Sequence, residues 1–200
     1  FFWNCEGGKK QTAYRIVCTC AGKTVWDSGK TLSDSMTKIP YAGEPFCSRD
    51  CVEWTVTLWD ENDEAGEPVS SSFEIGLKSA DDWQAKWITG NYKVKKRERY
   101  PVDCFRKDIS ITKAVKSARL YITACGLYEA KLDGQKIGDF CLAPGHTDYR
   151  KRVQYQTYDV TEFLPAGDHT MTVQLADGWY RGGCGAWGIR NQYGTETKFL

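Results

Sequence analysis

The stretch ARLYITACGLYEAKLDGQKIGDFCLAPGHTDYRKRVQYQTYDVTEFLPAGDHTMTVQLADGWYRGG, residues 118–183, decides the fold. Leu120, Ile122 and Ala124 alternate with Arg119, Tyr121, Thr123 and Cys125, the period of two that marks a strand. Gly126 interrupts the run, and Tyr128, Ala130 and Leu132 begin a second one. Asp133-Gly134 then stands before Lys136-Ile137-Gly138, a strong short-range hairpin signal. Pro144-Gly145 marks a turn, and Val153 to Tyr158 reads as a further strand. Thr161 to Leu164 reads as one helical turn, stopped by Pro165 and Gly167. A last strand, Thr170 to Leu175, leads into a loop at Asp177-Gly178-Trp179-Tyr180-Arg181-Gly182.

Working outward, Cys104 to Ile111 reads as a strand upstream of this block, and Thr195 to Leu200 as a strand cut short downstream of it. Between Asn91 and Pro101 lies a basic cluster of Lys93, Lys95, Lys96, Arg97 and Arg99, diluted by Glu98 and Asp103 and read as a solvated loop. Ser79 to Trp83 carries the signature of a capped helical turn. The first 78 residues read as all-β. Phe1, Trp3 and Cys5 alternate, and Gln11 to Cys20 forms a long strand with Tyr14, Ile16, Cys18 and Cys20 on one face. Thr24 to Trp26 and Met36 to Tyr41 are short strands. Val52, Trp54, Val56 and Leu58 face one way while Glu53, Thr55 and Thr57 face the other. Ser71 to Ile75 closes the unit after the acidic turn Asp60 to Pro68. The chain is therefore expected to be all-β, with two β-sandwiches. Residues 1–80 form an immunoglobulin- or fibronectin-III-like domain. Residues 81–200 form a jelly-roll-like domain of the carbohydrate-binding-module kind.

The ordered blocks GLYEAKLDGQKIGD, LAPGHTDYRKRVQYQTYDVT and LADGWYRG resemble the N-terminal β-sandwich domain of bacterial α-L-rhamnosidases, glycoside hydrolase family 78. QTAYRIVC, WDSGK and the Trp-containing strand near Val52 resemble the fibronectin-like domain that leads that family. The resemblance implies an intact protein that removes terminal α-L-rhamnose from glycosides or polysaccharides with inversion. It also implies that the catalytic carboxylates lie on a helical barrel downstream, so this chain is expected to be inactive alone. The implied partners are a rhamnose-containing carbohydrate and that downstream catalytic domain. The alternative is a pair of structural or protein-interaction sandwiches with no ligand.

Composition narrows the remaining classes. A net charge of +1 excludes the basic excess expected of a nucleic-acid or membrane-surface binder. No apolar run approaches the about 20 residues of a membrane span. The chain opens on Phe1, with no initiator Met, and is expected to begin inside a longer protein. Nine cysteines is an odd count. Cys47 and Cys51 have no second pair at zinc spacing, so reduced thiols and a cytoplasmic protein are expected.

Chemistry-bearing patterns are few. Glycoside hydrolysis needs two carboxyl groups about 5 to 9.5 Å apart. Glu129, Asp133, Asp139, Asp148, Asp159 and Asp177 are the second domain's acidic candidates, several with turn or capping roles open to them. There is no Gly-x-Ser-x-Gly elbow and no phosphate loop. No cofactor is expected; calcium is the one ion considered, since oxygen ligands are abundant and some related rhamnose-binding modules use it. No catalytic residue is assigned. The candidate carbohydrate-binding residues are Asp177, Trp179, Tyr180 and Arg181, with Tyr149 and Arg152 as the opposite wall. Trp179 and Tyr180 offer stacking faces, Asp177 an acceptor and Arg181 a donor. Packing of the two rings against protein is the alternative.

Overall fold

The computed structural model describes residues 1–7, 9–95, 98–185 and 187–200. The chain divides into two compact units, Phe1–Gln84 and Ala85–Leu200. It is nearly all β, with three sheets.

In the first unit β1 (Ala13–Cys20), β2 (Lys23–Asp27), β3 (Thr31–Leu32), β4 (Cys51–Trp59) and β5 (Val69–Glu74) make one antiparallel sheet. Its order is β2-β1-β4-β5, with β3 also on β1. Alternation sets the faces: Tyr14, Ile16 and Cys18 go inward with Val52 and Val56, while Arg15 faces out to a bidentate pair with Asp27. The other layer is not a ladder. The segments read as strands at Phe1–Cys5 and Met36–Tyr41 are extended chain, tied at two places, Trp3 N–H to Met36 O at 3.0 Å and Ile39 N–H to Phe1 O at 3.1 Å. They still deliver Trp3 and Ile39 to the core. The 3-10 turn Ala80–Asp82 carries the expected cap: Ser79 accepts from Asp81 N–H at 3.2 Å, and Asp82 accepts from Ser79 N–H at 2.9 Å.

The second unit is a two-layer sandwich. One layer holds β7 (Asp103–Ile111), β9 (Leu127–Leu132), β10 (Gln135–Lys136) and β12 (Gly167–Ala176), in the order β10-β9-β12-β7. The other holds β6 (Ile88–Thr89), β8 (Arg119–Cys125), β11 (Tyr155–Asp159) and β13 (Lys198–Phe199), in the order β11-β8-β13-β6. The core between them takes Ile122 and Ala124 from β8, Tyr128, Ala130 and Leu132 from β9, and Val173 and Leu175 from β12. Burying each large aliphatic side chain contributes about 1.5–3 kcal/mol. Asp133 and Gly134 both take positive φ, 49° and 82°, as a two-residue hairpin turn between β9 and β10 requires.

The break at Gly126 has a steric cause. Its φ is +142°, and a Cβ there would lie 2.5 Å from Ala176 O. The reading of 177–182 as a loop changes: Gly178–Arg181 coils into a single helical turn, α1. In the basic cluster, Lys96 and Arg97 lie outside the described residues, while Lys95 pairs with Glu98 at 3.5 Å.

Candidate functional site

The site forms where β12 ends. Ala176 is its last residue, so Asp177 leaves the sheet at a fixed place and α1 follows at once. Arg181, one turn on, reaches back to Asp177: Nε donates to Oδ1 at 2.7 Å. Its Nη1 and Nη2 each donate to Tyr92 OH at 3.1 Å, and the guanidinium lies 5.1 Å from the Tyr100 ring centre. The side chain is only 3% exposed. Arg190 donates to the other Asp177 oxygen at 3.2 Å. Asp177 and Arg181, read as acceptor and donor for sugar hydroxyls, are thus joined to each other and to internal partners. They hold the turn in place.

What α1 presents outward is aromatic. Trp179 and Tyr180 are half-buried and meet rings from two other segments. His146 sits 5.5 Å from Trp179, edge to face, and Tyr149 sits 5.3 Å from Tyr180. Tyr193 closes the group, 5.0 Å from Tyr149 and 6.4 Å from His146. Neighbouring backbone ties fix the arrangement: Asn191 N–H donates to Arg181 O at 3.0 Å, and Tyr193 N–H to Tyr180 O at 3.3 Å. Tyr149 OH donates to Gly145 O at 3.2 Å, just after the cis Ala143–Pro144 bond. Burial pushes the Tyr149 hydroxyl up to about 12, so it stays a neutral donor. Among the described residues, none of these five rings belongs to the buried core of the sandwich.

The structure therefore brings Trp179, Tyr180 and Tyr149 together. Arg152 is exposed; its main chain is held by Thr147 Oγ1, which donates to Arg152 O at 2.8 Å. Sequence reasoning missed His146, Tyr193 and Arg150, whose guanidinium lies 5.3 Å over the Tyr193 ring. His146 and Arg150 stood within the quoted HTDYRKR block and were legible as neighbours of Tyr149. Tyr193 had no local signal. A hairpin just before it, closed by Cys184 N–H to Ile189 O at 2.8 Å, carries Trp187 at 90% exposure.

The acidic candidates are engaged. Glu129 pairs with Lys131 at 3.1 Å, Asp148 with Arg150 at 3.3 Å and Asp159 with Arg119 at 2.8 Å. Asp133 accepts from His169 at 2.7 Å. Hydrogen bonds from Lys131, His169 and Thr161 are the first causes that hold the Glu129, Asp133 and Asp159 carboxyls, respectively, below the ordinary range. Asp139 is exposed. Among the described residues no three acidic, His or Cys side chains converge to hold a metal ion. Asp177, already spanned by two guanidinium groups, does not fit a calcium ion. A separate cavity of about 1250 Å³ lies in the first unit against Trp3, Trp54, Val56 and Phe73, and contains none of the site residues.

The similarities to known proteins follow the same division. Residues 1–79 match the family described as Rha78A-like, N-terminal immunoglobulin domain, and residues 113–200 match the α-L-rhamnosidase N-terminal domain. An α-L-rhamnosidase of Formosa agariphila is 36% identical over 198 residues, covering 90% of this chain and 21% of that protein. The crystal structure of an α-L-rhamnosidase from Aspergillus terreus superposes with a TM-score of 0.90 at 32% identity, covering 100% of this chain and 24% of that one. That of Dictyoglumus thermophilum gives 0.80 at 33% identity, over 98% and 24%. The chain thus spans about a fifth to a quarter of the length of these relatives.

Proposed function

This chain belongs to the α-L-rhamnosidases of glycoside hydrolase family 78, as part of their N-terminal region, and we propose that it serves the intact enzyme as a non-catalytic carbohydrate-contact and support region. The intact protein would release terminal α-L-rhamnose from glycosides. The observation that carries the reading is the ring cluster of His146, Tyr149, Trp179, Tyr180 and Tyr193, set at loop ends outside the core. Rings there can stack on the C–H faces of a sugar. A glycosidase acid needs a raised pKa, and the carboxyls of Glu129, Asp133 and Asp159 are shifted the other way. The nine free cysteines support a reducing compartment for the protein.

A second reading rests on Trp187 and Ile189, exposed together on their hairpin. Large apolar side chains presented this way suit docking onto a protein surface, here the enzyme's catalytic part.

The test is an aryl α-L-rhamnoside assay on the 200-residue chain and the intact protein, with a rhamnosyl oligosaccharide titration of each. The chain alone is expected to bind without turnover. Trp179→Ala should weaken binding about tenfold and lower stability by less than the ~3–5 kcal/mol of a buried aromatic. Turnover by the chain alone overturns the reading, and so does a full core-sized stability loss with binding unchanged. If Trp187→Ala leaves sugar binding intact but lowers activity of the intact enzyme, the docking role of the hairpin stands.

A further inference from the structure

We propose that the ring cluster takes an anionic glycan, its carboxylate- or sulfate-bearing sugar held by the cationic turn Thr147–Arg152. This rests on the carbohydrate-contact reading and extends it to the chemistry of the ligand.

The turn is tightly closed. Lys151 N–H and Arg152 N–H both donate to Asp148 O, at 2.8 and 3.1 Å, and Thr147 Oγ1 donates to Arg152 O at 2.8 Å. Three consecutive cations, Arg150, Lys151 and Arg152, project from it, all exposed. Arg150 is already placed: its Nε lies 3.3 Å from Asp148 Oδ1 and its guanidinium faces Tyr193. Lys151 and Arg152 have no acidic side chain within ion-pair distance among the described residues. The turn and the rings are one structure, since Tyr149 lies within the turn and touches both Tyr180 and Tyr193.

A neutral sugar would use the rings and leave two cations idle. A ligand with a C–H face and a fixed anion uses both features, because a carboxylate or sulfate accepts charge-assisted hydrogen bonds from Arg and Lys. Single-stranded nucleic acid is disfavoured by ring geometry. Tyr180 and Tyr193 lie near parallel, at 21°, but His146–Trp179, Tyr149–Tyr180 and Tyr149–Tyr193 are steep, at 62°, 78° and 57°, so the five rings do not extend into a row of parallel platforms for successive bases. The chain's net charge of +1 adds no wider electropositive field.

The experiment titrates the 200-residue chain with four probes at low and high salt. They are a neutral rhamno-oligosaccharide, an oligogalacturonate, a sulfated galactan oligosaccharide of equal length, and polyuridylate. At least one anionic sugar is expected to bind about tenfold tighter than the neutral one at low salt, with the gap closing at high salt. The uronate and sulfate arms separate the two sources of charge. The double variant Lys151→Gln, Arg152→Gln should abolish the gap, its affinity for the anionic sugars falling to whatever it shows for the neutral one, while the unfolding midpoint stays as it was. Neutral binding without any gap overturns the inference and leaves the carbohydrate reading standing. No sugar binding at all overturns both. Polyuridylate binding as tightly as the anionic sugars also overturns it, as would a gap that survives in the double variant.

Discussion

His169 donates from Nδ1 to Asp133 Oδ2 across 2.7 Å, joining the start of β12 to the β9–β10 turn. The other ring nitrogen, Nε2, faces Pro165 O at 2.7 Å. Both partners are acceptors, so the buried ring is fully satisfied only as the imidazolium. Thr170 N–H completes the link by donating to Asp133 Oδ1 at 2.7 Å.

A pH dependence follows. The His169 pKa is raised, first by the Asp133 carboxylate and then by the Pro165 carbonyl; nearby Asp168 adds in the same direction. Folding therefore retains a proton. The stability it lends is complete below the unfolded value of about 6.5 and disappears as pH rises through the folded value. The Asp133 pKa is lowered, first by His169, so its share is present above about pH 3.9 and lost as pH falls through its folded value. Urea midpoints of the chain should decline between pH 6 and pH 9, and His169→Gln should flatten that decline. Parallel profiles for the two proteins would refute the assignment.

Arg181 should be intolerant of change. Arg181→Ala strips a donor from Tyr92 and leaves Asp177 with Arg190 alone. The expected loss is about 3 kcal/mol, as for breaking a mostly buried pair. Arg181→Lys keeps the charge but not the fork, and should fall between. Denaturant titration measures both, and a loss under 1 kcal/mol for the alanine variant would contradict the network.

Gly126→Ala should also destabilise, by about 1–3 kcal/mol, because a side chain there meets Ala176 O in a backbone region few residues adopt. Gly134→Ala is the comparison. It has positive φ but open space, so it should cost less. Equal losses would show that close approach at Gly126 adds nothing.

Thiol labelling should separate the cysteines by burial. Cys5, Cys47, Cys51, Cys104 and Cys141 are exposed and should react in the native protein, whereas Cys18 and Cys125 are buried. Burial pushes the Cys18 thiol up to about 11 and raises Cys125 as well. Mass spectrometry after brief native labelling should find both unmodified, and modified after denaturation. Native labelling of Cys18 would mean that the first core opens readily.

Where side chains alternate against one buried face, the fold was legible. Tyr128, Ala130 and Leu132 are all buried between half-exposed neighbours, and the Asp133-Gly134 turn forms where its dipeptide stands. Alternation misleads in β8, where Thr123 and Cys125 are buried as well as Ile122 and Ala124. Loop residues cover that second face, Thr123 donating to Gln154 O. Phe1–Cys5 has the period of a strand yet makes only scattered hydrogen bonds to Met36 and Ile39, because period reports burial and not pairing. The α1 turn was hidden for the opposite reason. Its glycines signal a loop, and it coils through the reach of Arg181 to Asp177. In the site, Trp179, Tyr180 and Tyr149 were readable from their blocks, whereas Tyr193 joins them through long-range packing that no spacing encodes.

The Asp133-Gly134 turn also sets how the protein ages. Among aspartates, one before glycine is the most prone to rearrange into isoaspartate: the glycine nitrogen attacks the side-chain carboxyl carbon, water leaves to give a succinimide, and hydrolysis reopens the ring. That attack favours a protonated, freely rotating carboxyl group. Here both oxygens are held, by His169 and Thr170, and the group is kept ionised. The pins that fix the hairpin thus also act as a preservative, and isomerisation at this bond should run faster in the unfolded chain than in the folded one.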